Sequence, residues 1–105
     1  TLDLLMAEAT PAANGFYDEC MLAEAQFSLG FAKTGEMMKL PNTSVFGHPG
    51  AGGSIGFADP ENQIGFAYVT NRMGTAIQGD PRDIALREAL YSCAPLAAKA
   101  ASAAA

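Results

Sequence analysis

The chain has no tryptophan, a single histidine and two cysteines, and each scarcity removes a class of function. A lone histidine, His48, with no second histidine or cysteine near it, makes a poor zinc site, so no metal is expected. Cys20 and Cys93 are too few for a disulfide scaffold, and neither stands in C-x-x-C. Cys93, set among Leu90, Ala94 and Leu96, reads as a buried thiol. Cationic residues are also sparse: six Lys and Arg against eleven Asp and Glu, for a net charge of −5. Scattered as they are, they form no basic stripe, which argues against nucleic acid and against an anionic membrane surface. No apolar run approaches the length of a bilayer. Neither G-x-x-x-x-G-K-[ST] nor a helix-opening G-x-G-x-x-G is present, so no nucleotide or other cofactor is implied. The start T-L-D-L-L has no methionine and no basic leader. It leads us to expect a segment processed or cut from something longer, and it leans toward the cytoplasm as the compartment.

What is present is a hydrophobic share of 50% in 105 residues. That suffices for one modest core, in one domain or a piece of one. Residues 2–9 read as a short helix ended by Thr10-Pro11. Asn14-Gly15 is a turn pair, and residues 17–26 are open between a helical turn and an extended linker. Residues 26–35 alternate Phe27, Leu29 and Phe31 against Gln26, Ser28 and Gly30, the pattern of one half-buried strand. Residues 36–40 are either a returning strand or a loop. Short strands follow at 44–48 and 54–58, separated by a glycine loop, then an Asp-Pro turn and the strongest strand, from Gln63 onward. Asp80 is a good N-cap, Pro81 suits the first helical position and Asp83 lies in the first turn. In that helix Leu86, Ala89, Leu90 and Cys93 form the expected buried stripe, with Arg87 and Glu88 facing away. The expected organisation is therefore helix and linker over 1–25, antiparallel strands over 26–79, a helix over 80–94 and an alanine-rich, fraying tail over 95–105. The fold class is α+β: an antiparallel sheet of about three to five strands flanked by N-terminal and C-terminal helices.

Three motifs invite chemistry. Gly52-Gly53-Ser54-Ile55-Gly56 matches G-x-S-x-G, but a nucleophile elbow needs a helix after the serine, and here a strand follows; the only histidine also lies upstream. Lys33-Thr34-Gly35 spells K-T-G, yet it leaves a strand for an acidic loop and reads as a turn with a solvated lysine. The third is His48-Pro49-Gly50, followed by Ala51-Gly52-Gly53. Five glycines crowd residues 46–61. Glycine in a strand marks close approach by a backbone or a ligand, and a bare edge exposes N–H groups that can bind an oxyanion.

Taken as a block, "FSLGF", "FGHPGAGGSIGFADPE", "IGFAYVTNRM" and the helix led by "DPR" resemble the carboxy-terminal part of the serine β-lactamase and penicillin-binding fold. The nearest branch is the β-lactamase-like carboxylesterases of family VIII. The resemblance covers roughly residues 26–93. It implies that His48-Pro49-Gly50 takes the place of the K-T-G triad on the strand walling the active site. It implies that the Ala51 backbone N–H is an oxyanion-hole donor, that His48 lines the cleft, and that Pro49, Gly50, Gly52 and Asn71 face substrate. Pro49 in place of threonine removes a hydroxyl and an N–H, which favours an ester over a lactam.

The resemblance also exposes what is missing. The family's nucleophile is the serine of S-x-x-K. Ser28, Ser44, Ser54, Ser92 and Ser102 are followed three residues on by Phe31, Gly47, Phe57, Pro95 and Ala105. Tyr17, Tyr68 and Tyr91 lie outside the context of the family's tyrosine motif. The expectation is thus a carboxy-terminal fragment of a serine hydrolase that forms an acyl-enzyme when complete and is inactive alone. Its partners would be the remainder of its own hydrolase domain and a small ester or lactam. The alternative is a non-catalytic binding domain or homo-oligomer that associates through an exposed sheet edge.

Overall fold

Consecutive strands of the main sheet are hydrogen-bonded neighbours, and every strand pairing among the described residues is antiparallel. The computed structural model describes residues 1–93 and Ser102; the expected tail over 95–105 therefore lies outside the described residues, Ser102 apart. Helix α1 (Leu2–Met6) is followed by a small two-stranded sheet of β1 (Tyr17–Asp18) and β2 (Ala23–Glu24). The main sheet has the order β3 (Phe27–Ser28), β4 (Phe31–Lys33), β5 (Phe46–Pro49), β6 (Ile55–Asp59), β7 (Ile64–Tyr68), and helix α2 (Pro81–Ser92) follows it. This is the expected α+β arrangement.

Three local expectations need correction. Residues 26–35 are not one strand but a hairpin. Leu29 and Gly30 both take positive φ, 51° and 83°, the signature of a two-residue primed turn whose twist matches the strands. Leucine is a poor resident of that region, so the alternating pattern hid the turn. Residues 17–24, left open by the sequence, are the β1–β2 hairpin. The helix over 2–9 is shorter, ending at Met6.

One face of the main sheet holds the core. Ala32, Val45, Ile55, Phe57 and Met38 are buried there, with Leu90 and Tyr91 of α2 packed against them. Residues 36–40 stay a loop, and that loop delivers Met38 into the core. Gly47 sits where β5 meets β6, opposite Phe57. A Cβ at Gly47 would fall on the Gly56 carbonyl and the Phe57 backbone, groups that cannot swing aside. Gly47→Ala is therefore expected to part the two strands and cost about 1–3 kcal/mol or more; an unchanged urea midpoint would refute this.

Helix α2 docks through polar side chains, which reverses the expected stripe. Asp83 and Arg87 are buried, whereas Leu86 is 43% exposed and Cys93 is also exposed. The reading of Arg87 as solvent-facing and of Cys93 as a buried thiol is overturned. Arg87 pairs with Asp83 through two 2.8 Å hydrogen bonds and donates a third to the Lys39 carbonyl. Tyr91 donates to Asp59, which is fully buried and also accepts from Asn42 and Asn62. Four donors replace the water that Asp59 gave up.

Lys33 is the third reversal. It is 2% exposed, and its ammonium donates to the Leu5 and Met6 carbonyls at the end of α1. Burial pushes its pKa down, partly offset by Glu8. The K-T-G triplet thus caps a helix and carries no solvated lysine.

Acid should loosen this scaffold in a narrow window. Burial alone would raise the Asp59 carboxyl, but hydrogen bonds from Asn62, Tyr91 and Asn42 outweigh it and hold it below its ordinary 3.8. The Arg82 side chain, reinforced by the Arg82 backbone N–H, draws Asp80 from 3.8 to about 2. As pH falls past the ordinary value, the unfolded chain takes up protons first, so stability present above that value is lost as pH drops through the folded values. We expect the urea midpoint to fall between about pH 4 and about pH 2, and to fall less steeply in Asp59→Asn; equal slopes would remove Asp59 from this account.

Candidate active site

Strand β5 is central in the sheet, yet its pairing is unequal on its two sides. Toward β6 it is paired along its whole length, from Phe46 to Pro49. Toward β4 the pairing involves only Phe46 and Gly47. The β3–β4 hairpin turns back at Leu29-Gly30, so from His48 onward that flank has no strand partner. Of the bare edge expected over 48–53, only His48 and Pro49 belong to the strand; residues 50–53 form the turn between β5 and β6.

An inventory of main-chain amides narrows the expectation further. Pro49 has no N–H. Gly50 donates to the Ser54 carbonyl at 2.7 Å, Gly52 to the Ala76 carbonyl at 2.8 Å and Gly53 to the Gly50 carbonyl at 3.2 Å. Gly52 and Gly53 are buried at φ +93° and +114°, a region in which side chains are strained. Their amides, like that of Gly50, are engaged within the protein and are not free to donate to a ligand. Ala51 is exposed, and among the described residues nothing accepts from its N–H. The Ala51 donor therefore stands clear between Gly50 and Gly52, whose donors are engaged.

His48 is exposed, on the face of β5 opposite the core, with its ring centroid 5.6 Å from that of Phe27. Its Nδ1 contacts the Pro49 carbonyl. A carbonyl only accepts, so the contact fits the tautomer with its proton on Nδ1, in which Nε2 is the acceptor. Pro49 is buried on the core face and gives the loop a rigid entry. Ser54 is half-buried just before β6, and no lysine or histidine reaches it among the described residues; nothing there would activate it as a nucleophile. Asn71 is exposed in the bend after β7, without a hydrogen bond among the described residues. A hollow of about 650 Å³ between residues 36–41 and α2 is lined by Met37, Leu40, Ile84 and Tyr91 among others and by none of residues 46–54.

Behind the loop lies a clamp that the sequence did not announce. Asp80 caps α2 by accepting from the Arg82 N–H, and it also pairs with the Arg82 guanidinium at 2.8–2.9 Å. The same guanidinium donates to the Gly52 carbonyl at 3.2 Å and the Arg72 carbonyl at 2.9 Å. "DPR" was legible only as a helix start; an arginine two residues after an acidic N-cap was the available signal.

The family model for beta-lactamase matches residues 3–91. The chain belongs to the beta-lactamase family. Within that family it resembles a family VIII carboxylesterase of known crystal structure, at 42% identity and a TM-score of 0.70 over 74% of this chain and 21% of the esterase. It is also 42% identical over 57 residues to the Esterase/beta-lactamase LipL of Mycobacterium tuberculosis (strain ATCC 25618 / H37Rv), covering 53% of this chain and 12% of that protein. The beta-lactamase-family chain thus matches only about a fifth of the length of the first relative and about an eighth of the second. No helix of the described residues is long and apolar enough to cross a membrane.

Proposed function

We propose that the chain forms one wall of a serine-hydrolase active site acting on a small ester. In this reading the Ala51 N–H binds the oxyanion of the tetrahedral intermediate of acyl transfer, and His48, through Nε2, accepts a hydrogen bond from substrate or from a catalytic group. Pro49 and Gly50 shape the entry, and Asn71 lies at the same end of the sheet. The observation that carries the reading is the Ala51 amide, free and exposed between neighbours whose amides are engaged. Such a donor accelerates reaction only when it meets charge that develops in the transition state. The nucleophile and base come from elsewhere, since no serine here is followed by lysine at the required spacing. The partner is accordingly the rest of a hydrolase domain. Apolar side chains left exposed, Leu86 on α2 and Val69 after β7 among them, support contact with another segment.

The test is nitrophenyl-ester hydrolysis by two proteins: this chain alone, and a hybrid in which residues 26–93 replace the matching segment of the family VIII carboxylesterase. The chain alone is expected to be inactive and the hybrid active. Turnover by the chain alone that is abolished in His48→Ala would overturn the reading, as would a folded hybrid without turnover.

A further inference from the structure

We propose that Arg82 is a positioning residue for the Ala51 donor, acting through two linked peptide planes; this rests on the oxyanion reading of Ala51. The guanidinium does more than its pairing with Asp80 requires. Its Nη2 also donates to the Gly52 carbonyl, and its Nη1 to Arg72. The Gly52 carbonyl belongs to the same rigid plane as the Gly53 N–H. That N–H donates to the Gly50 carbonyl. The Gly50 carbonyl in turn shares a plane with the Ala51 N–H. In a trans peptide the carbonyl and the N–H point in opposite directions. Holding the Gly50 carbonyl inward therefore aims the Ala51 N–H outward, and the grip of Arg82 on Gly52 sets the angle.

Two further features fit this relay. The Gly52 carbonyl also accepts from the Gly74 N–H, while the Gly52 N–H donates to Ala76, so the plane on each side of Gly52 is held by the loop after β7 or by Arg82. Glycine is also required where the clamp passes. A Cβ at Gly53 would lie 2.7 Å from Asp80 Oδ2 and 3.0 Å from Arg82 Nη2. At Gly74 the corresponding distances are 2.7 and 2.9 Å. Asp80 is 6% exposed at its side chain, and it holds the Arg82 side chain, 40% exposed, against the loop.

The experiment measures backbone order in the ¹⁵N-labelled 105-residue chain, comparing the parent with Arg82→Ala and Arg82→Lys. In Arg82→Ala the order parameters of Ala51 and Gly53 are expected to fall from about 0.85 to below about 0.6, while β6 and β7 keep theirs. Lysine can pair with Asp80 but cannot reach both carbonyls, so Arg82→Lys should loosen the same two amides. Unchanged order at Ala51, or an equal loss throughout β6 and β7, overturns the relay. If Arg82→Ala does not fold, Arg82→Lys decides by the same criterion. In the hybrid hydrolase, Arg82→Ala is expected to lower kcat about 10- to 100-fold with KM held. Loss of order at Ala51 with kcat unchanged in both Arg82→Ala and a variant lacking the Ala51 N–H would keep the relay and discard the oxyanion reading. Loss of turnover without loss of order would discard the relay.

Discussion

Replacing Ala51 by proline in the hybrid hydrolase is expected to lower kcat about 10²- to 10³-fold, the usual consequence of removing one oxyanion-hole donor. The change removes an N–H that the protein itself does not use, while the proline ring fixes φ at residue 51 and restricts Gly50. The Ala51 N–H has no acceptor among the described residues, so the fold gives up no internal hydrogen bond. Ala51→Gly is the paired control: it keeps the N–H and removes only an exposed methyl group, and it should stay close to the parent. Because the donor acts on charge that forms during reaction, the loss should fall on kcat and leave KM nearly unmoved. Equal activity in the proline and glycine variants would remove Ala51 from the chemistry.

The second large effect concerns stability. Arg87→Ala strands the Asp83 carboxylate, 4% exposed, in a site built for a guanidinium. Leaving one member of a buried pair uncompensated costs about 3–5 kcal/mol, against a total of about 5–15 for a domain. The double replacement Asp83→Leu with Arg87→Met removes both charges and fills the space with apolar atoms, and such exchanges are often neutral or stabilising. Here recovery should be incomplete, because the Lys39 carbonyl also loses its donor. We expect the double variant to regain most of the stability lost by Arg87→Ala, read from urea midpoints. If the two variants are equally unstable, Arg87 acts through its reach to Lys39 and not through its pairing with Asp83.

That pair also shows why part of the fold was legible and part was not. The helix over residues 81–92 was announced by Asp80 and Pro81, since capping depends on a few local residues. Its buried face was not, because an apolar pattern cannot anticipate that Asp83 and Arg87 will satisfy each other. Rotated by one position from the expected stripe, the contact face runs through Asp83, Arg87, Leu90 and Tyr91. Strands β5 to β7 followed from their β-branched and aromatic content and the short turns between them. The β3–β4 hairpin did not, because Leu29 occupies a left-handed position that sequence rules reserve for glycine or asparagine. At the candidate site, glycine content marked the loop, but glycine count alone does not reveal which amides are occupied. Only the three-dimensional accounting separates Ala51 from Gly50, Gly52 and Gly53. Lys33 misled for the same reason: its environment comes from α1, 27 and 28 residues away.

The early reversal of the β3–β4 hairpin works as a ruler. Strand pairing advances about 3.3–3.4 Å per residue, so the length of the two arms decides how far along β5 the neighbouring strand reaches. Its last pairing is Ala32 with Gly47, just short of His48. Lengthening each arm by about two residues in the same register would carry the ladder to the loop and set the hairpin tip beside Ala51. Insertion at Leu29-Gly30 is thus a means of shuttering the opening without altering any residue of β5.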